Sequence, residues 1–255
     1  MIRNKENPET SIWISTTDLM SGLLVVFLFI SILMTQNVAD IAQSKNKTSE
    51  ALKNELTKAF TSEELKKYNI TVEKENDKDV GFMNFEDGNT NFEVNKSDLN
   101  PEFKAKLAVV LPKYIKAVYD CNEKYKKEHN DQDCIEEIRI EGHTSSEWKG
   151  EVSDNAFVKN MELSQDRSRE ILKFALGLND LDENQRKFIR DKMTANGLSS
   201  AHLKYKKDSA GNEIKDSEGN KIEDKEASRR IEIKIAFNDK EIVENINKVI
   251  NDGSK

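Results

Sequence analysis

The sequence predicts an α+β protein in which a tether joins a single N-terminal transmembrane helix to one soluble domain. The first observation is an apolar segment, Ile12 to Met34, where 16 of 23 residues are apolar and only Asp18 is charged. The second is the rest of the chain, whose 38 basic and 44 acidic side chains indicate an acidic, soluble body. The third is the interleaving of strand-like and helix-like patterns after Val80, which is typical of helices layered on a sheet.

The overall composition excludes two classes of protein. With 34% charged and 36% apolar residues, the chain has material for one membrane span and not for a polytopic membrane protein. Its net charge of −7 argues against a nucleic-acid partner, because phosphate binding requires a concentrated positive surface.

The apolar segment is long enough to cross a membrane. At about 1.5 Å per residue it extends roughly 34 Å, compared with a hydrocarbon core of about 30 Å. A cleaved signal peptide is the alternative, but Arg3 and Lys5 are offset by Glu6 and Glu9, and no small-x-small cleavage site follows. We therefore expect an uncleaved transmembrane helix over residues 12–34, preceded by an N-terminal segment of residues 1–11. Basic residues on both sides leave its orientation undecided.

Asp18 is the one charged residue in this predicted membrane helix. A carboxylate there costs several kcal/mol unless it is protonated, paired or facing a wet cavity, so it needs a partner or a function. Ser21 and Gly22 share its helical face, and such small residues let another helix approach closely. The alternative is that Asp18 lies at the headgroup level and caps the helix start, with Ile12 to Ile14 as an interfacial lead-in.

The residues after the membrane segment predict a tether and then the first half of the domain. Residues 35–79 are polar with scattered apolar side chains, which indicates a helical stalk or a flexible tether. The domain is expected over residues 80–238. It opens with a strand, Gly81 to Phe85, and a turn over Glu86 to Asn89. Asn100 and Pro101 then begin a long helix, in which Pro112 predicts a kink. The apolar face of this helix consists of Phe103, Leu107, Val110, Leu111, Tyr114 and Val118.

The second half of the domain continues the alternation of strands and helices. The clearest strand pattern is Ile231 to Phe237, where apolar residues alternate with charged ones. Residues 239–255 predict a C-terminal helix and tail. The other predicted elements are a strand around Ile138 and Ile140, a helix from Leu163 to Leu176 ended by Gly177, and a helical stretch from Leu181 to Met193.

An insert over residues 206–226 contains a near repeat. The run Asp208 to Lys215 is matched by Asp216 to Glu223. A calcium-binding turn is one interpretation, but the acids are too few for an oxygen cage. A solvated hairpin is therefore the favoured prediction.

Cys121 and Cys134 lie on either side of a charged connection between the first long helix and the Ile138 strand. In an oxidising compartment they would close a loop worth about 3 kcal/mol in the chain-entropy model. Two free thiols are the alternative, and the residues alone do not decide between them.

The sequence carries no enzyme signature. His143 is one of three histidines, and no nucleophile, metal-ligand cluster or phosphate-binding loop accompanies it. We therefore expect no enzymatic activity, no cofactor and no metal site, and we interpret His143 as a structural residue. Trp148 lies near the same turn, where it either stacks on a sugar or covers its own domain.

Three runs of residues resemble the OmpA-like peptidoglycan-binding domain. They are Glu141 to Thr144, Asn160 to Ser168 and Ser228 to Ile233, and the resemblance covers about Val80 to Phe237. Domains of this family have a β-α-β-α-β sandwich fold and bind the diaminopimelate of the cell-wall peptide. The resemblance implies the same fold here and peptidoglycan as a partner. It places the peptidoglycan-binding positions at Thr144, Ser145, Asn160, Arg167 and Arg229.

One of these positions departs from the family. Where the family has an Asp after the Thr, this chain has Ser145, so the acid that pairs the ligand's ammonium group is missing. Glu147 is the nearest replacement in sequence. Arg167 keeps its family role, because a planar guanidinium suits carboxylate recognition.

The whole arrangement resembles the B subunits of ion-driven membrane motors, a family that includes flagellar MotB and the Zorya anti-phage subunit ZorB. The runs Thr17 to Leu28 and Gly142 to Trp148 look closest to the Zorya branch. The resemblance implies that Asp18 carries the ion, a proton before sodium, with Ser21 and Gly22 at the helix-packing face.

The same resemblance implies partners and a location. A homodimer of this chain would stand inside a ring of five MotA-like, or ZorA-like, membrane subunits. The N-terminus would lie in the cytoplasm, the chain would cross the bacterial inner membrane once, and the domain would lie in the periplasm with Cys121 and Cys134 bridged. The alternatives are a flagellar-type stator subunit and a passive anchor between membrane and wall, although a passive anchor has no need for an intramembrane acid.

Overall fold

Two parts of the chain are described in turn, the helix before Thr48 and the compact unit Thr48–Asp239. The computed structural model describes residues 8–68, 70–71, 79–86, 92 and 96–238. The predicted C-terminal helix over 239–255, the predicted turn after residue 86 and most of the N-terminal segment 1–11 lie outside these ranges.

Helix α1 (Pro8–Ala59) contains the apolar segment. Its stretch Thr16–Gln36 has a mean hydropathy of 2.2 and no residue buried inside the protein. Among the described residues, this is the one helix long and apolar enough to cross a membrane. Because α1 begins at Pro8, Asp18 lies nearly three turns inside the helix and does not cap its start.

The compact unit begins earlier than the sequence suggests. Leu52, Leu56 and Phe60 are at most 3% exposed and belong to the hydrophobic core. The expected tether over residues 35–79 thus differs from the structure at its C-terminal end. In the sequence, three apolar side chains spaced four residues apart in a polar stretch are typical of a solvated stalk. In the structure they lie on one face of the helix and pack against the core. A short helix, α2 (Ser62–Lys67), follows and is capped by Thr61.

A five-stranded sheet forms the centre of the unit. Its order is β1-β2-β5-β3-β4, and every pair is antiparallel except the parallel pair of β3 and β4. Ile233 and Ile235 of β5 pair with Ile140 and Ile138 of β3, all of them fully buried. The strands are β1 (Ile70–Thr71), β2 (Asp79–Glu86), β3 (Ile135–Gly142), β4 (Met193–Gly197) and β5 (Arg230–Phe237).

Helices connect these strands and contribute the rest of the core. Helix α3 begins behind Asn100, whose side chain accepts a hydrogen bond from the Phe103 amide at 2.7 Å. The helix continues through Pro112, and its predicted apolar face is buried as expected. The helices are α3 (Pro101–Glu128), α4 (Asp154–Leu176), α5 (Glu183–Lys192) and α6 (Lys225–Ser228). The predicted fold class, an apolar N-terminal helix followed by an α+β domain, is confirmed.

Two sequence expectations are wrong in detail. The helix predicted over Leu163 to Leu176 begins nine residues earlier, at Asp154 behind the Ser153 cap. Strand β4 was not expected, because its five residues follow α5 directly and end in Asn196-Gly197, a pair that indicates a turn.

Two glycines bring α4 onto the ends of β3 and β4. A Cβ atom on Gly142 would overlap the Ser164 carbonyl oxygen, and one on Gly197 would lie 2.5 Å from the Gln165 amide nitrogen. Only glycine allows this approach, which sets Asn160 of α4 beside the loop that leaves β3.

The insert forms two successive turns closed into a ring. Three backbone hydrogen bonds of 2.8–2.9 Å close the ring: the Ile214 amide donates to the Lys206 carbonyl oxygen, the Ile222 amide to that of Ile214, and the Lys206 amide to that of Ile222. The Asp208 and Asp216 carboxylates each accept two backbone hydrogen bonds at 2.9 Å from their own turns. These acids therefore close turns, as in the predicted hairpin, and they do not converge on a calcium cage.

Candidate functional site

The Asp18 face of α1 is open along its length. Asp18, Ser21 and Gly22 are all exposed, and nothing lies within 4 Å of a Cβ built on Gly22. The Ser21 hydroxyl donates to the Thr17 carbonyl oxygen at 2.8 Å, which satisfies it inside the helix. This leaves the carboxylate as the polar group that this face presents to a neighbouring helix.

The loop after β3 carries Thr144 and Ser145 into the interior. Both are under 5% exposed, and the Thr144 amide donates to the Ser199 carbonyl oxygen at 2.9 Å. The Asn160 side-chain amide donates to the carbonyl oxygens of Ser145 and Glu147 at 3.1 Å each. The Thr144 hydroxyl is buried without a hydrogen-bond partner in the described part of the chain. The two hydrogen bonds from Asn160 therefore hold this loop against α4.

The insert holds the same loop from its other side. Glu223 accepts hydrogen bonds from the Ser146 amide at 3.0 Å and from the Ser146 hydroxyl at 2.5 Å. Lys225 lies 2.7 Å from the Glu147 carboxylate. Glu147 is therefore already neutralised by a lysine, which argues against its replacing the acid missing at Ser145.

Arg167 and Arg229 form a positively charged site next to this loop. Arg167 is 4% exposed, its Nε donates to the Lys96 carbonyl oxygen at 3.0 Å, and its guanidinium lies 4.7 Å from the centre of the Phe92 ring. Burial, together with the neighbouring charge of Arg229, lowers the pKa of Arg167 to about 10. The Nε of Arg229 is buried without a partner among the described residues. Two guanidinium groups, one of which lowers the pKa of the other, favour an anionic ligand.

A buried network of charged residues joins β3 and β5, the two strands next to the Thr144 loop and Arg229. Glu232 of β5 lies 2.5 Å from Arg230 Nε, 3.0 Å from Lys234 Nζ and 3.4 Å from His143 Nε2. Glu141 of β3 shares the Lys234 ammonium at 3.2 Å. Both carboxylates are about 6% exposed. Sequence reasoning missed the network, because charged residues alternating with isoleucines indicate a solvent face.

The same residues include a set of metal-ligand atoms. One oxygen each from Glu141 and Glu232 and one nitrogen of His143 lie within 4.8 Å of one another. Lys234 already lies within 3.2 Å of both carboxylates, and Arg230 takes the other side of Glu232. The arrangement is therefore a buried ion-pair network, and the structural role of His143 stays a prediction.

These contacts shift the acid–base properties of both carboxyl groups. Burial raises the pKa of Glu232, but the contacts with His143 and Arg230 outweigh it and hold this pKa well below its usual value. The pKa of Glu141 is lowered in the same way, with burial outweighed by His143 and Lys234. Both groups are therefore ionised at neutral pH.

Cys121 and Cys134 are both buried, free thiols in the structure. They are close enough to interact, since a hydrogen bond from Cys134 lowers the pKa of the Cys121 thiol although burial opposes it. The side-chain oxygen of Asn122, Oδ1, accepts a hydrogen bond from the Cys134 amide at 3.0 Å, which fixes the start of β3 beside α3. The disulfide implied by the family resemblance stays a prediction.

The predicted wall-binding residues thus fall into two groups, the Thr144–Ser145 loop with Asn160, and the pair Arg167 and Arg229. Asn160 contacts the Ser145 backbone directly, and Arg167 and Arg229 are near enough to interact electrostatically. Sequence reasoning missed the supports of this loop, Glu223 and Lys225, which lie 77 and 78 residues from their partners. No local pattern could have indicated contacts at that separation.

Comparisons with known proteins give one curated relative and several structural neighbours. No known family profile matches the chain. The Zorya protein ZorB of Escherichia coli is 32% identical over 209 residues, which cover 78% of this chain and 81% of that protein.

The structural neighbours are more distant. A MotB-like protein from Desulfovibrio vulgaris has 16% identity and a TM-score of 0.42, over 78% of this chain and 95% of that one. The periplasmic domain of Helicobacter pylori MotB has 13% identity and a TM-score of 0.41, over 70% and 88%. The OmpA-like domain of FopA1 from Francisella tularensis has 17% identity and a TM-score of 0.34, over 64% and 79%.

Proposed function

This chain belongs to the family of the Zorya protein ZorB, and we propose that it is the ion-carrying, wall-anchoring B subunit of a membrane motor in anti-phage defence. The observation that carries the proposal is Asp18, the one charged residue in the apolar stretch Thr16–Gln36. An acid in that position is costly, so its presence calls for a function that needs it.

Asp18 supplies the chemistry of an ion carrier. A carboxylate that takes up and releases a proton alternates between a charged and a neutral form, and each form prefers different contacts. Each unit charge that moves through 100 mV releases about 2.3 kcal/mol, which is the energy available to drive a motor. A proton is the expected ion, and sodium is the alternative.

The helices that face Asp18 come from a partner. A MotA-like, ZorA-like membrane subunit would approach over Ser21 and Gly22, where small side chains permit close contact. In this proposal two copies of the chain stand inside a ring of five such subunits. The N-terminus lies in the cytoplasm, and the domain lies in the periplasm of a single-pass inner-membrane protein.

The domain anchors this assembly to peptidoglycan. The guanidinium groups of Arg167 and Arg229 suit a carboxylate of the wall peptide. Ser145 supplies no charge for the ligand's ammonium group. Carboxylate recognition is therefore the stronger part of the binding.

Phage plating efficiency tests the proposal. Cells carrying this gene with its native neighbours are compared with cells carrying Asp18→Asn, which keeps the shape of the side chain and removes its charge. Ser31→Ala is the matched control, because it removes a hydroxyl that bonds only to the Phe27 carbonyl of the same helix. At equal protein levels, we expect wild type and Ser31→Ala to protect and Asp18→Asn to lose protection.

Two results would contradict the proposal. If Asp18→Asn protects as well as wild type, Asp18 is not the ion carrier and the chain acts as a passive anchor. If wild type gives no protection, the role in defence fails and a flagellar-type stator subunit becomes the better assignment.

A further inference from the structure

The insert is fastened to the wall-binding loop, residues 144–147, which follows β3. The Glu223 carboxylate of the insert accepts two hydrogen bonds from Ser146, one from the backbone amide and one from the hydroxyl. The Lys225 ammonium lies 2.7 Å from the Glu147 carboxylate. The insert therefore contacts two consecutive residues of this loop.

The contact between Glu223 and Ser146 is the stronger of these two links. The side chains of Lys225 and Glu147 are 49% and 34% exposed, and an exposed ion pair contributes little to stability. Glu223 instead uses both carboxylate oxygens on a single residue. Hydrogen bonds to a charged acceptor are about twice as strong as those between neutral groups.

Side chains from two separate elements hold the backbone of the wall-binding loop. Asn160 of α4 donates to the carbonyl oxygens of Ser145 and Glu147, and Glu223 of the insert accepts from the Ser146 amide between them. If Glu223 were removed, the partly buried Ser146 amide would lose this partner, which is costly for a backbone group. The conformation of the loop therefore depends on the insert as well as on α4.

Backbone hydrogen bonds on both sides of Glu223 keep it in place. The preceding residue, Ile222, belongs to the ring of hydrogen bonds that closes the insert. The following residue, Asp224, donates its amide to the Lys204 carbonyl oxygen at 2.9 Å. The Lys204 amide in turn donates to the hydroxyl of Ser228, which is fully buried. Glu223 thus acts on the loop from a fixed support.

Packing into the core does not explain the insert. Residues 206–226 are all described, and none of them belongs to the hydrophobic core or to the partly buried side chains that pack against it. Most of these residues are exposed. A surface insert outside the core that is tied to a candidate binding loop is suited to positioning that loop.

We propose that the insert is a clamp on the wall-binding loop and that Glu223 is the positioning residue through which it acts. By holding Ser146, Glu223 keeps the loop in one conformation before a ligand arrives. A loop that is already ordered loses less conformational freedom on binding, which raises its affinity. The inference rests on the wall-binding function proposed above, and it assigns Glu223 an effect through Ser146 without contact with the ligand.

The test measures both ligand affinity and the order of the loop. The full chain in detergent micelles is titrated by calorimetry with a stem peptide that contains diaminopimelate, and hydrogen exchange at the Ser146 amide is followed without ligand. The variants are Glu223→Ala, the conservative Glu223→Gln, Ser146→Ala, and the double variant Glu223→Ala with Ser146→Ala. Glu213→Ala is the matched control, because it removes another acid of the insert, whose contact is with Lys221 at 2.7 Å.

We expect Glu223→Ala to weaken stem-peptide binding by about tenfold, because both hydrogen bonds to Ser146 are lost. Glu223→Gln should keep most of the affinity, since a carboxamide can accept from the Ser146 amide and donate to its hydroxyl. The double variant should bind no more weakly than Glu223→Ala, because both changes break the same contact.

Hydrogen exchange shows whether the loss of affinity comes from the loop. The Ser146 amide should exchange faster in Glu223→Ala, because local opening of the loop is no longer opposed by the carboxylate. Glu213→Ala should match wild type in exchange and in affinity. An unchanged Tm in all variants shows that each is folded.

Three results would overturn the inference. The first is unchanged stem-peptide affinity in Glu223→Ala. The second is a loss in Glu223→Gln as large as in Glu223→Ala, which would mean that the charge of Glu223 acts on the ligand itself. Both of these leave wall anchoring intact. The third is a wild-type chain that binds no stem peptide, which removes the anchoring function as well.

Discussion

Neutralising Glu232 should destabilise the domain far more than neutralising a surface acid. The Glu232 carboxylate is 6% exposed and lies 2.5 Å from Arg230 Nε and 3.0 Å from Lys234 Nζ. At an effective dielectric constant of about 20, unit charges at 3.0 Å attract by about 5.5 kcal/mol before desolvation is subtracted. Removing one partner of a buried pair typically costs about 3–5 kcal/mol, because the other charge is left uncompensated. Glu232→Gln keeps the shape of the side chain, so we expect about 3 kcal/mol.

Thermal unfolding of the full chain in detergent micelles measures this loss. For a domain of this size, about 3 kcal/mol corresponds to a Tm lower by about 6–12 °C. Asp120→Asn is the control, because its pair with Lys116 is 3.4 Å long and both side chains are more than half exposed. An exposed pair contributes at most about 1 kcal/mol. A Glu232→Gln variant that unfolds within 2 °C of the control would refute the reasoning.

Comparing wild type with Glu232→Gln at different pH values tests the direction in which the contribution of Glu232 to stability changes with pH. The folded-state pKa of Glu232 lies below its ordinary value of 4.5, so the unfolded chain binds a proton first as the pH falls. The stability that Glu232 contributes is fully present above that value and is lost progressively below it. The Tm difference between wild type and Glu232→Gln should therefore be constant near neutral pH and shrink below about pH 4.5. A difference that grows on acidification would contradict the assignment.

Three further predictions concern the helix contact, the wall ligand and the thiols. Gly142→Ala should lower the free energy of unfolding by about 1–3 kcal/mol, because its Cβ overlaps a backbone carbonyl of α4. The control, Gly177→Ala, has no contact under 3.4 Å and should change this free energy by under 1 kcal/mol. Equal urea midpoints for the two variants would contradict the prediction. Arg167→Lys should weaken stem-peptide binding by about tenfold or more in calorimetry, since a lysine cannot reproduce the planar fork; full affinity would remove Arg167 from the site. Protein exported to the periplasm should contain a disulfide bond between Cys121 and Cys134, so its mass under non-reducing conditions should be lower by two hydrogen atoms. Two thiols that react with an alkylating reagent would exclude that disulfide.

The parts of the fold that could be predicted are those with a strong periodic pattern. The apolar face of α3 and the alternation in β5 each extend over two or more turns or strand repeats, and both are present as expected. Strand β4 was missed because its five residues directly follow a helix. The core contribution of Leu52 and Leu56 was missed because their charged surroundings hide a stripe only one residue wide.

Only those residues of the candidate site that belong to a recognisable sequence motif could be predicted from the sequence. The Thr144 loop, Asn160 and Arg167 follow from a family resemblance, and in the structure two hydrogen bonds join the loop to Asn160. The alternation around Glu232 predicts solvent exposure, yet the residue is buried. Its strand, β5, is the central strand of the sheet and lies between β2 and β3, where neighbouring charged side chains cover Glu232. Pairing across strands is a tertiary property that one strand's pattern does not contain.

Ion flux measures most directly whether Asp18 carries the ion. Inverted membrane vesicles that contain this chain and its A subunit are loaded with a pH-sensitive dye, and the decay of an imposed proton gradient is followed for wild type, Asp18→Asn and Ser31→Ala. We expect rapid decay in wild type and Ser31→Ala, and decay at the rate of empty vesicles in Asp18→Asn. Equal decay in Asp18→Asn and wild type would contradict the claim that Asp18 carries the ion.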